Sequence, residues 1–162
     1  MKFKNSILTM LGTALIAGAV DAKEINLPGV GKVDTNQKIL QNGHFTWGEA
    51  TKEGTRIPYN SEIVSNIRNT AKYMEDVRHY FGDKPIKITS WYRDPETNKK
   101  TPGAAEKSQH ITGKAVDFLV PGVSPREVAR ELERYWGSNG GLGSYSGWTH
   151  LDDRGKAARW SK

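Results

Sequence analysis

The sequence has no cysteine among its 162 residues. This absence excludes disulfide bonds, thiolate metal sites and cysteine nucleophiles, so histidine and carboxylate side chains must hold any bound metal. Long apolar runs are also scarce, because no second run follows the N-terminal one at residues 7–20. We therefore expect no integral membrane segment in the mature chain.

The charge is unbalanced but not clustered. Lys and Arg total 24 against 18 Asp and Glu, which gives a formal net charge of +6 and favours an anionic partner. Nucleic acid and anionic cell-wall polymers both fit that description. The basic residues are scattered, however, whereas a nucleic-acid surface usually has a basic stripe or a recognised module. We therefore expect no nucleic-acid partner.

The N-terminus predicts export. Lys2 and Lys4 precede the apolar run at 7–20, and Ala22 supplies a small residue at a cleavage site. This layout is typical of a secretory signal peptide, which we predict at residues 1–22. The expected destination is the periplasm or the extracellular cell envelope. An uncleaved N-terminal anchor is the alternative interpretation.

Hydrophobic periodicity predicts an α+β fold with a small antiparallel sheet packed against two or three helices. Residues 23–43 form an extended lead-in, in which one short strand is possible, and residues 44–162 form one folded domain, expected as a monomer. The clearest helix begins at Asn60 or Ser61 and ends before Gly82. The other predicted elements are a strand at 86–93, a loop at 94–107, a strand at 115–120, a helix from Ser124 and a strand at 144–151.

Three residues form a candidate metal site. His110 and Asp117 lie seven residues apart around a small turn, and His150 lies in the last predicted strand. If that strand pairs with the one that holds Asp117, both side chains face the same side. Two imidazoles and one carboxylate leave a fourth position open, as in catalytic zinc sites. Hydrogen-bonded histidines and a salt bridge for Asp117 are the structural alternatives.

Several segments, taken in order, resemble the M15 family of zinc D-Ala-D-Ala peptidases, in its small single-domain branch. The resemblance covers about residues 45–160 and implies a hedgehog/DD-peptidase-like fold. Its most specific part is Ser-x-His-x-x-Gly-x-Ala-x-Asp at 108–117. The segments are Ser90–Pro95, Asn98, Gly103–Ala105, Ser108–Asp117 and Trp148–Asp152.

The resemblance implies one Zn²⁺ ion held by His110, Asp117 and His150. The expected reaction is hydrolysis of peptidoglycan stem or cross-link peptides at D-Ala, by a D,D-carboxypeptidase or an endopeptidase. Arg93 would bind a substrate carboxylate or the polarised carbonyl, and a guanidinium suits the first role because it binds carboxylates through two parallel hydrogen bonds. Further substrate contacts are expected at Tyr92, Ser108, Gln109 and Trp148.

The catalytic base departs from the family pattern. Several members have a Glu three residues before the last His, where this chain has Gly147, and others have a His where this chain has Trp148. Asp152, two residues after His150 on a strand, is the predicted base. It could equally orient His150 or pair with Arg154. If no base is present, the domain is a catalytically silent wall-binding or signalling module.

Overall fold

The computed structural model of the chain describes residues 21–162. Nearly all of the predicted signal peptide, at residues 1–20, lies outside this range. Across residues 21–162, none of the helices combines the length and the apolar character that a membrane span requires.

The described chain contains four helices, seven strands and two short 3₁₀ turns, at Gln109–Thr112 and Gly137–Asn139. In order, the elements are β1 (Glu24–Leu27), β2 (Gly31–Asp34), α1 (Trp47–Thr51), α2 (Ser61–Tyr80), β3 (Lys87–Ser90), α3 (Pro95–Lys100), β4 (Ala115–Leu119), α4 (Pro125–Trp136), β5 (Gly141–Ser144), β6 (Thr149–Asp152) and β7 (Ala158–Ser161).

The strands form two sheets, a hairpin of β1 and β2 and a five-stranded sheet in the order β3-β4-β6-β5-β7. Neighbours in the larger sheet run antiparallel, except that β5 and β7 run parallel at its edge. The predicted α+β class is therefore confirmed, with one more helix than expected and one parallel pair in the sheet.

Helix α2 forms as its sequence predicts. The side chain of Asn60 accepts a hydrogen bond from the backbone N–H of Ile63 at 2.9 Å, which satisfies a free donor of the first turn. One face of the helix is buried, including Ile67 and Met74, neither of which is exposed at all. Burying each such side chain contributes roughly 1.5–3 kcal/mol. The helix is therefore stabilised by its packing as well as by its cap.

Helix α4 connects the core to the strand that carries His150. Ser124 and Glu127 form a reciprocal cap, in which each side chain binds the other residue's backbone N–H. At the other end, Trp136 is fully buried and its Nε1–H donates to the backbone carbonyl of Asp152 at 3.0 Å. This bond fixes the end of β6 against the helix.

The lead-in predicted at 23–43 contains a complete β-hairpin rather than one short strand. Ile25, Leu27 and Val33 are buried in the same core as the helices. The backbone N–H of Lys23 also donates to the hydroxyl of Thr35 at 3.0 Å. Packing of this segment therefore begins at the first residues after the predicted cleavage site.

Two other predicted elements differ in detail. The predicted loop at 94–107 contains α3, because Asp94 caps its first turn by accepting from Thr97 N at 2.8 Å. The single strand predicted at 144–151 is two strands, β5 and β6, joined by a turn at 145–148. As predicted, the last part of that segment pairs with β4.

Candidate active site

Strand pairing brings Asp117 and His150 together. The two residues are directly opposite each other on β4 and β6, so their side chains project from the same face of the sheet. On the other side of β6, Gly143 is opposite His150. A Cβ atom on Gly143 would lie 2.3 Å from the ring of Trp160, whose centroid is 5.0 Å from that of His150. Glycine at 143 therefore makes room for the Trp160 ring beside His150.

His110 reaches this face from the 3₁₀ turn at Gln109–Thr112. The hydroxyl of Ser108 accepts from the backbone N–H of His110 at 3.3 Å and caps the turn. The turn ends at Gly113 in a left-handed conformation with φ of 73°. A Cβ atom there would also lie 2.9 Å from the backbone oxygen of Ile63. Glycine is thus required both for the turn and for its close contact with α2.

The hydrogen bonds of His110 define its tautomer. Its Nδ1 lies 2.6 Å from the backbone carbonyl oxygen of Trp91. Because a carbonyl only accepts hydrogen bonds, Nδ1 carries the proton and Nε2 keeps a free lone pair. Nε2 is buried and lies 3.1 Å from Oδ2 of Asp117, but it has no hydrogen-bond partner within the described chain. A buried lone pair beside a carboxylate is suited to a cation.

His150 lies between two carboxylates. Its Nε2 is 2.7 Å from Oδ2 of Asp152, and its Nδ1 is 2.8 Å from Oδ1 of Asp117. Burial alone would lower the pKa of His150, but the hydrogen bonds to Asp117 and Asp152 raise it above its usual value. Neutral His150 would donate from Nε2 to Asp152 and present the Nδ1 lone pair to Asp117. A cation in front of Nδ1 would replace the second proton.

The candidate metal centre consists of His110, Asp117 and His150, which are 1%, 6% and 7% exposed. One ligand atom from each residue lies within 4.8 Å of the other two. Burial would raise the pKa of Asp117, but the two histidines hold it well below its usual range, so the carboxylate is ionised. Two nitrogens and one oxygen suit zinc better than calcium or magnesium, which prefer oxygen ligands alone. The residues present therefore fit a zinc ion.

Asp152 is fully buried, and both oxygens of its carboxylate accept hydrogen bonds. Its carboxylate accepts from Nε and Nη2 of Arg154 at 2.7 and 2.6 Å and from the backbone N–H of Gly141 at 3.0 Å, in addition to His150. A general base needs a free lone pair that faces the substrate. This geometry therefore argues against the predicted base and favours the alternative, in which Asp152 orients His150 and pairs with Arg154.

A cavity of about 870 Å³ opens in front of the three residues. Four predicted substrate contacts line it, namely Arg93, Ser108, Gln109 and Trp148. Tyr92 does not. Its side chain is 1% exposed in the hydrophobic core, and burial raises its pKa to about 12. Tyr92 therefore cannot contact a substrate in this conformation, and that prediction is corrected.

The cavity also includes residues that the sequence did not single out. Tyr145 stacks on Trp148 with ring centroids 4.6 Å apart, and its hydroxyl accepts from Nε1 of Trp160 at 3.0 Å. Arg56, in the loop after α1, also lines the cavity. The alternation of aromatic residues near 145–148 was the available signal for Tyr145, whereas Arg56 lies in no recognised motif.

Comparison with known proteins identifies the family. The model of the family described as "Peptidase M15" matches residues 40–152, well over half of the chain. The chain belongs to the M15 peptidase family. The resemblance inferred from the sequence motifs is therefore confirmed.

Curated relatives of this M15 peptidase match over shorter stretches. It is 32% identical to the peptidoglycan L,D-endopeptidase MepK of Escherichia coli strain K12 over 83 residues, and this match covers 48% of this chain and 44% of the relative. It is 37% identical over 73 residues to the probable peptidoglycan L,D-endopeptidase MepK of Haemophilus influenzae, which covers 41% of this chain and 38% of the relative. The matches thus span less than half the length of these relatives.

Proposed function

We propose that this M15 peptidase is a zinc-dependent hydrolase that cuts peptides of peptidoglycan. The observation that carries the proposal is the meeting of His110, Asp117 and His150 at the base of one cavity, with a buried lone pair on His110 that has no partner in the described chain. The names of the MepK relatives favour an L,D-endopeptidase. Cleavage at D-Ala, the expectation from the sequence, is the alternative bond choice.

The surrounding residues have separate roles in this proposal. His110, Asp117 and His150 would hold the zinc ion, which when bound would supply Lewis-acid chemistry and a lowered pKa for water. The carbonyl of Trp91 and the carboxylate of Asp152 fix the tautomers of His110 and His150. Arg93 is 8% exposed and lies 3.4 Å from Asp117, where its charge would stabilise a negative scissile carbonyl oxygen.

One observation favours a second candidate function. Among the described residues that line the cavity, Asp117 is the only carboxylate, so none is free to act as a separate base. A catalytically silent module that binds wall peptides through the same cavity fits this feature. Hydrolysis and binding must therefore be measured separately.

Export to the cell envelope belongs to the same proposal. A signal peptide at residues 1–22 would direct the chain to the periplasm or the cell exterior, where peptidoglycan is found. The hairpin β1–β2 packs into the core, so we propose that residues 23–162 form the mature peptidase as a single unit. Its net positive charge suits an anionic wall.

The test is digestion of purified peptidoglycan by residues 23–162, with products identified by mass spectrometry. We expect soluble fragments whose masses identify the cleaved bond, loss of activity with a chelator and recovery with zinc. His110→Ala should abolish cleavage, whereas His79→Ala, which removes an 84% exposed histidine side chain, should not. Cleavage by His110→Ala at the wild-type rate would refute the mechanism, and peptide binding without any cleavage would support the silent module.

A further inference from the structure

Arg56 is held beside the candidate active site by its backbone. It follows α1, and its N–H donates to the carbonyl of Thr51 at 2.8 Å. The same helix accepts from Tyr92 N through the carbonyl of Ala50 at 3.2 Å. The next residue, Arg93, donates its N–H to the carbonyl of His110 at 3.2 Å. This series of bonds links the loop of Arg56 to the turn that carries His110.

The two arginines of this region differ in their partners. Arg93 directs Nη1 toward Oδ1 of Asn98 and Nη2 toward Oδ2 of Asp117, both at 3.4 Å. Arg56 is half-buried and lines the cavity, yet within residues 21–162 its guanidinium makes no hydrogen bond or ion pair. Its donors are therefore available to a bound molecule, whereas both Nη atoms of Arg93 face partners within the protein and only its buried Nε has none among the described residues.

Arg56 and Arg93 lie close enough for their positive charges to interact. Of the cations that line the cavity, Arg154 is neutralised by Asp152, and Arg93 is partly neutralised by Asp117. Burial lowers the pKa of Arg93, Asp117 opposes that effect, and the charge of Arg56 lowers it further. Burial would raise the pKa of nearby Asp94, but hydrogen bonds from Thr97 and, to a smaller extent, the charge of Arg56 lower it. The carboxylate of Asp94 accepts hydrogen bonds from Thr97 and none from Arg56. The repulsion between the two arginines would be relieved by an anion between them.

We propose that Arg56 binds a free carboxylate of the substrate, which leaves Arg93 to act on the scissile carbonyl. The substrate class is thus a peptide with an ionised carboxylate near the cleaved bond, rather than the same peptide with that group amidated. This inference rests on the proposed peptidase function and makes it more specific. Arg56 presents a planar fork of donors that matches the two oxygens of a carboxylate, and an amide presents only one acceptor oxygen.

The experiment compares two synthetic wall peptides that differ only by a carboxylate or a carboxamide beside the scissile bond. Binding is followed by the fluorescence of Trp148 and Trp160, which line the cavity, so this readout does not depend on hydrolysis. Wild-type protein should bind the carboxylate peptide roughly 10- to 100-fold more tightly, the range for one charge-assisted hydrogen-bonded pair.

Substitution of Arg56 should remove that preference. Arg56→Gln should weaken binding of the carboxylate peptide and raise its KM by the same factor, with kcat nearly unchanged. Binding and cleavage of the amidated peptide should hardly change. Arg56→Lys, which keeps the charge without the fork, should recover part of the loss. Arg126→Gln is the matched control, because Arg126 is exposed, lies outside the cavity and carries the same charge.

The outcomes separate this inference from the function it rests on. If wild-type protein binds and cuts both peptides equally well, the role of Arg56 is refuted while the peptidase function stands. If it prefers the carboxylate peptide but cuts neither, the peptidase function is refuted while the role of Arg56 stands. A loss in Arg56→Gln that is equal for both peptides would also overturn the inference.

Discussion

Replacing Asp152 with Asn tests whether this residue positions His150 or acts as a base. The carboxylate holds Nε2 of His150 at 2.7 Å and two nitrogens of Arg154 at 2.7 and 2.6 Å. These donors keep the pKa of Asp152 well below its usual range, although burial would raise it. Asn keeps the shape but removes the charge, so one donor of Arg154 would face an amide nitrogen and His150 would lose a strong acceptor.

The expected effect of Asp152→Asn is on metal affinity. Loss of a hydrogen-bond partner behind a histidine ligand typically weakens metal binding about 10- to 100-fold. That factor corresponds to about 1.4–2.7 kcal/mol. Zinc binding would be measured by competition with a chromophoric chelator, and hydrolysis by release of peptide from peptidoglycan at increasing zinc concentrations. At saturating zinc, we expect Asp152→Asn to recover most of the wild-type kcat.

A base would give the opposite pattern. If Asp152→Asn bound zinc as tightly as wild type but stayed inactive at saturating zinc, Asp152 would be the base and the positioning role would be wrong. Asp153→Asn is the matched control, because it removes the neighbouring carboxylate, whose buried Oδ1 has no hydrogen-bond partner among the described residues. It should leave zinc affinity unchanged.

Gly113→Ala tests the turn that carries His110, and Asp153→Asn tests the electrostatics near the site. The left-handed backbone at residue 113 should make Gly113→Ala less stable by about 1–2 kcal/mol. A further loss is expected because the new Cβ would lie 2.9 Å from the backbone oxygen of Ile63. Gly122 is the control, because its φ is 80° and no atom lies within 4 Å of the position of a new Cβ, so Gly122→Ala should show the backbone cost alone. The free energy of unfolding of both variants would be measured in urea. Equal losses of stability in the two variants would contradict a packing cost at Gly113. Burial raises the pKa of Asp153 to about 6. The folded state therefore binds the proton of the Asp153 carboxyl more tightly than the unfolded state does, and the free energy of unfolding falls as the pH rises from about 4 to about 6. Asp153→Asn should thus stabilise the protein at pH 8 by about 1 kcal/mol, a value reduced for partial exposure, with the gain absent below about pH 4. A gain of the same size at both pH values would contradict this assignment.

Local sequence signals predicted the elements that form independently of distant contacts. Helix α2 has a cap at Asn60 and an apolar residue every three or four positions, so its start and end were clear. The meeting of Asp117 and His150 followed from pairing the last predicted strand with β4. Strand pairing of this kind depends on alternation along each strand, which the sequence contains.

The remaining features depend on contacts between distant segments. Strands β1 and β2 lie in a segment rich in Gly, Asn, Pro and Thr, where few large apolar residues distinguish a strand from a loop. The carboxylate of Asp152 accepts hydrogen bonds from Gly141, on the neighbouring strand, and from Arg154. The position of Arg56 depends on hydrogen bonds between α1 and the segment before α3. A motif could assign Tyr92 to the site, but only packing revealed that its ring is buried.

Anomalous diffraction from crystals grown with zinc, with data recorded on both sides of the zinc absorption edge, would show whether the three residues bind the metal. We expect one anomalous peak per chain, within bonding distance of Nε2 of His110, a carboxylate oxygen of Asp117 and Nδ1 of His150, and no such peak in His110→Ala. A peak elsewhere, or none at these three residues in crystals that contain zinc, would contradict this expectation.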